Sequence, residues 1–144
     1  MIKKLSISNI LFFVITMVIF VTSLTQKIYF VVGSDDSDAM SGFLALLLGW
    51  YYMFDLRVIP WLANPLLFLS FIFTSTYKIK KAKIVGTIAF IFSLSFLLFD
   101  KILVNEGGFE KEIIGYGSGY WLWVFSMFIN IVGIFISEYL NSDN

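Results

Sequence analysis

Five stretches of this chain carry no charge: Leu5 to Gln26, Ala39 to Phe54, Val58 to Tyr77, Ile84 to Phe99 and Ile113 to Ser137. About 20 such residues in a helix cross a hydrocarbon core about 30 Å thick. The first, third and last runs are long enough, so a membrane-spanning helical fold is expected before any motif is considered. Composition agrees. The 144 residues are 59% hydrophobic and 14% charged, whereas an average soluble domain is about half apolar and a quarter charged. The 17 Phe are more than a compact soluble core of this size holds, and lipid-facing helix surfaces accept them.

What the chain lacks narrows its chemistry. Without Cys there is no disulfide framework, thiolate metal site or cysteine nucleophile, and without His the commonest general base and metal ligand is missing. No metal site, no cofactor and no catalytic residue is expected. No basic patch suggests nucleic acid.

Lys3 and Lys4 ahead of an apolar run resemble a secretory signal, but the run is too long and Val21-Thr22-Ser23 is a poor cleavage site. The stretch is read as a retained first span. Asn9, Thr16 and Ser23 recur on one face of it, where small or polar residues meet other helices. An acidic, turn-rich loop follows, Gly33 to Asp38. Ala39 to Phe54 would make only about 24 Å of helix, and Gly42 and Gly49 weaken it. A short interfacial or re-entrant helix over residues 39–54 is expected in place of a full crossing.

Lysine placement tests that reading. With four spans, Lys78, Lys80, Lys81 and Lys83 fall on the side of Lys3 and Lys4, as the positive-inside rule requires; with five they fall outside. The inner side then holds those six lysines against Glu138 and Asp143. The outer side holds Lys27, Arg57, Lys101 and Lys111 against Asp35, Asp36, Asp38, Asp55, Asp100, Glu106, Glu110 and Glu112. The expected fold is all-α: one transmembrane domain over residues 1–144, an integral membrane four-helix bundle with both ends cytoplasmic. Its spans fall at about 5–26, 58–77, 84–104 and 117–137, and the short helix lies on the outer face.

Within the second span, Asn64-Pro65 reads as a helix N-cap followed by proline at the first helical position. In the third, Gly86, Ala89, Ser93 and Asp100 share a face, which predicts an inward Asp100 with the helix continuing to Val104. Asn105 to Gly119 reads as an outer loop whose glycines permit unusual backbone angles, with Tyr120, Trp121 and Trp123 anchoring the last span. It is not a phosphate loop, because no strand–loop–helix context with a Lys accompanies it. Along that last span Gly119, Ser126, Asn130, Gly133 and Ser137 form a helix-contact stripe, with Ser126, Asn130 and Gly133 at its centre.

The candidate site is the stretch from Gly49 to Pro65, which holds two of the four Trp, both Pro and the only Arg. Trp50 and Trp61 are expected to share one membrane depth with Trp121, since indoles prefer the interface. Asp55 and Arg57 would cap an outer aromatic pocket, with Asn64 and Asp100 on its wall. Two readings of Asp55, Arg57 and Asp100 stand: a buried ionic cluster, or three charges solvated in the headgroup zone.

With Gly49-Trp50, Trp61-Leu62-Ala63-Asn64-Pro65-Leu66 and Gly117-Ser118-Gly119-Tyr120-Trp121-Leu122-Trp123 in view, the second half of the chain resembles a group of small, uncharacterised bacterial membrane proteins. These have a similar Trp-x-Ala-Asn-Pro and Gly-x-Gly-Tyr-x-Leu-Trp at two helix starts. The resemblance implies an inner-membrane location and brings no activity with it. Function is expected to be non-enzymatic: binding, in or at the outer face of the lipid bilayer, of a membrane-protein partner, a ligand or a second copy, as a subunit, regulator or immunity-type protein. The alternative is a small oligomeric transporter or channel using Asp55, Asp100 or Asn130. A lipid-acting enzyme would have to rely on Asp38, Asp55 or Asp100.

Overall fold

The computed structural model describes residues 7–33, 39–52, 55–103 and 108–142. Lys3, Lys4, Asp35, Asp36, Asp38, Glu106 and Asp143, which enter the charge argument above, lie outside the described residues. The chain runs α1 (Ile7–Leu24), β1 (Lys27–Val31), β2 (Met40–Ser41), α2 (Gly42–Leu48) ending in a 3-10 turn (Gly49–Tyr52), and α3 (Val58–Ser75). It continues through α4 (Ile79–Leu94) with a 3-10 turn (Ser95–Leu98), β3 (Lys101–Leu103), β4 (Glu110–Tyr116) and α5 (Ser118–Ser142).

Four of these helices are long and apolar enough to cross a membrane: α1, α3, α4 with its 3-10 extension, and α5. They turn the usual soluble pattern inside out. Asn9, Thr16, Ser23, Asn64, Ser70, Ser93, Ser126, Asn130 and Ser137 are buried, while Ile, Leu, Val and Phe such as Leu11, Val18, Ile72, Ile91 and Phe128 are exposed. That pattern is compatible with helices packed in lipid, whose tails are as apolar as Leu and leave contact to small and polar side chains. Gly133 is one such contact: a Cβ there would stand 2.6 Å from the Phe12 side chain, so α1 and α5 meet closely only because it is glycine. Phe13–Phe71 and Phe20–Phe68, both edge to face, bring α1 against α3.

The α3–α4 connection is tight. Lys78 donates its N–H to the Phe73 carbonyl and Tyr77 to that of Thr74, the paired bonds of a Schellman turn, with Tyr77 at φ 57° where glycine is usual. α4 therefore starts inside the lysine cluster, earlier than expected. Lys83 pairs there with Glu138 of α5.

The expectation of an all-α fold needs correcting, since the opposite end of the bundle carries a small half-barrel sheet. Its order is β2-β1-β4-β3, every pairing antiparallel, with Tyr29 opposite Tyr116 and Lys101 opposite Glu112. The strands are short, and β1 (Lys-Ile-Tyr-Phe-Val) follows so closely on an apolar helix that its β-branched and aromatic residues read as an extension of it. The third span does not run on to Val104 either. Helical structure ends at Leu98, Lys101 to Leu103 pair with β4, and Asp100 is exposed.

Of the described glycines leading into α5, Gly108 takes the expected unusual angle (φ 79°), whereas Gly117 and Gly119 serve close approach. A Cβ at Gly117 would lie 2.2 Å from the Lys27 carbonyl oxygen, and Gly117 donates its N–H to Ile28. The start of α5 is thereby laid across the α1–β1 junction.

Candidate functional site

α2 covers the open side of the half-barrel. Gly42 donates its N–H to the Gln26 carbonyl, and its missing Cβ leaves room for the Ser23 carbonyl oxygen, 2.5 Å from where that atom would be. At the other end of this short element, Gly49 meets the Trp61 indole so closely that a Cβ would stand 2.0 Å from Cδ1. The same indole donates Nε1–H to the Leu46 carbonyl at 2.8 Å. The short helix is thus pinned to α1 at its start and to α3 at its end, both on the sheet side of the bundle.

Beneath it is a cavity of about 300 Å³, walled by the sheet (Ile28, Tyr29, Met40, Ile102, Leu103), by α2 and its 3-10 turn (Gly42, Ala45, Leu46, Leu48, Gly49, Tyr51), by α3 (Pro60, Trp61, Asn64) and by Phe96 and Trp123. Arg57 is at its edge.

Asn64 organises the floor. It lies inside α3, seven residues after Arg57, the residue at the N-cap, so its expected role as an N-cap is corrected. Pro65 has no N–H to give the Trp61 carbonyl four residues earlier, and Asn64 Nδ2 supplies the missing bond at 2.9 Å. Asn64 Oδ1 then accepts the Trp123 indole N–H at 2.8 Å. One side-chain amide thereby repairs a proline break and ties α3 to α5. Two turns further along, Asn130 Nδ2 donates to Ser70 Oγ at 3.0 Å, and Ser70 donates to the Ala82 carbonyl at 3.2 Å. Gly86 leaves space for that relay, with both polar atoms within 3.2 Å of its absent Cβ. Ser126, fully buried, donates to the Trp123 carbonyl of its own helix.

Arg57 holds the rim. Its guanidinium grips Asp55 through Nε (3.0 Å) and Nη2 (2.7 Å) and reaches Glu110 at the start of β4 through Nη1 (2.9 Å). Its side chain is 15% exposed. The Arg57 hydrogen bonds hold the Asp55 carboxyl below its ordinary value, and Asp55 in turn raises that of Arg57. Asp100 is outside this pairing. It borders a shallow cleft with Asp55, Leu98, Phe99 and Lys101 on the outer side of Arg57; burial, and after it the Asp100 charge, raises the Tyr116 phenol.

Of the residues singled out from sequence, Arg57, Trp61 and Asn64 line the cavity and Asp55 orients Arg57. Asp100 is not on its wall. Trp50 (55% exposed) and Trp121 (52% exposed) point away from it. Trp123 takes the place expected of Trp121, and helical spacing carries the signal: position 123 falls on the stripe Gly119–Ser126–Asn130, whereas 121 is on the opposite face. Phe96, which touches Tyr29, Tyr116 and Tyr120 at 5.6–5.7 Å between ring centres, lies at the centre of the aromatic floor and had no sequence signal beyond being one of many Phe. No protein-family model, curated protein or solved structure matches this chain.

Proposed function

We propose that this is a four-span protein of a bacterial cytoplasmic membrane, of the kind its Trp-x-Ala-Asn-Pro and Gly-x-Gly-Tyr-x-Leu-Trp segments resemble, with both chain ends inside, and that it acts by binding and not by catalysis. The cavity under α2 is its binding site. The observation that carries this reading is the cavity itself: a preformed space of about 300 Å³ with a mainly apolar wall, two indoles and a few converging polar groups, the usual make-up of a ligand site. Leu67, Tyr120 and Met127 are fully buried across the bundle, which favours binding at one end over passage through a single copy.

A photoreactive benzoylphenylalanine at Leu48, on the rim, tests the reading in intact cells. The expected result is one discrete adduct, of lipid or protein, that disappears when Ala45→Phe fills the cavity. An adduct pattern identical to that from the lipid-facing position Phe128, and indifferent to Ala45→Phe, would refute it.

A further inference from the structure

We propose that the cavity takes the hydrocarbon chain of an uncharged amphiphile, with the head group at Arg57; this rests on the binding reading above and names the ligand class. Three features carry it. The wall is mainly apolar, and its one guanidinium is shared with the open cleft outside, so a guest with a long apolar part and a single polar end fits its polarity. Leu48 and Tyr51 line the cavity yet are half-exposed, so it opens beside them, along α2. The outward face of that element shows Phe43, Leu44, Leu47 and Trp50, apolar and exposed like the outer surfaces of the long helices. An opening next to such a face is fed from a lipid leaflet.

The head-group class follows from the charges at the rim. Arg57 is engaged by two carboxylates, Asp55 and Glu110, so the trio is net negative and repels an anion. Of the five guanidinium N–H groups, the bonds to Asp55 and Glu110 use three, leaving one on each Nη to donate to an ester carbonyl or hydroxyl.

The test uses the full chain with Trp50→Phe and Trp121→Phe, which leaves Trp61 and Trp123 as the only indoles, in phosphatidylcholine nanodiscs. 1-(9,10-Dibromostearoyl)glycerol, a contact quencher, is titrated in, with 9,10-dibromostearic acid at pH 8 as the anionic comparator. Expected is quenching by the glyceride that saturates at a few mole per cent and is lost in Ala45→Phe and in Met40→Phe, each checked for retained helicity. The acid requires a several-fold higher mole fraction, and Glu110→Gln narrows that gap. Quenching merely proportional to probe content, or unchanged in both filled variants, would overturn the proposal; an acid that saturates first would overturn the head-group class. A cavity-dependent protein adduct at Leu48 without saturable quenching would sink the amphiphile and leave the binding reading intact.

Discussion

Asn64 and Pro65 form a compensated pair, and each is costly without the other. Replacing Asn64 with Leu strips partners from the Trp61 carbonyl and the Trp123 indole, with an expected cost of about 1–2 kcal/mol for a bundle in lipid. Pro65→Ala restores a backbone N–H at position 65, so the double variant Asn64→Leu/Pro65→Ala is expected to recover roughly half of that loss. Unfolding in mixed micelles measures all three, and strictly additive costs would refute the compensation. Asn-Pro looked like a helix start because the pair favours that position in isolation; the fold instead starts α3 at Val58 and uses the amide for repair. Trp123 shows the converse, a residue whose place could be read from periodicity alone.

Among the elements, α2 depends on two glycines more than on its own sequence. Seven residues are too few for a stable isolated helix, and the short apolar run between weak helix formers made its brevity legible. What could not be read was its seat, set by the Gly49–Trp61 contact between segments distant in the chain. Gly49→Val is expected to dislodge the indole and release α2, with hydrogen exchange rising at least tenfold over residues 42–52 and staying unchanged in α5. Protection that survives in α2 would show that the indole does not hold it. The Arg57 clamp joins α3 to β4 and brings an acid dependence. Because the folded Asp55 carboxyl titrates below its ordinary 3.8, its contribution is fully present above that value and is lost as pH falls through the folded one. Sheet stability is therefore expected to stay level between about pH 5 and 8 and to drop below about pH 4. Asp55→Asn should be less stable at neutral pH and show a smaller acid drop; an equally steep drop in that variant would place the titrating group elsewhere.

For the whole molecule, the count of four long helices followed from the charge-free runs taken together with the placement of the lysines, although the third gains its length at its lysine end, from Ile79, and not toward Val104. The half-barrel did not follow, since β2 and β3 have only two and three residues and β1 and β4 lack a clean apolar–polar alternation. The topology is tested by single cysteines in this cysteine-free chain at the exposed positions Val32, Phe109 and Lys80. The first two should react with an impermeant maleimide on intact cells and Lys80→Cys only after permeabilisation; the reverse pattern would invert the protein in the membrane. The pairing of β1 with β4 has a consequence for synthesis. These strands flank opposite ends of the sequence, and β4 lies at the centre of the sheet, between β1 and β3. The sheet cannot close until the ribosome has delivered nearly everything before α5, and α5 itself must dock across the α1–β1 junction. Through most of translation β1 thus waits with an open edge, so nascent chains stalled before β4 should be the form that chaperones and proteases engage.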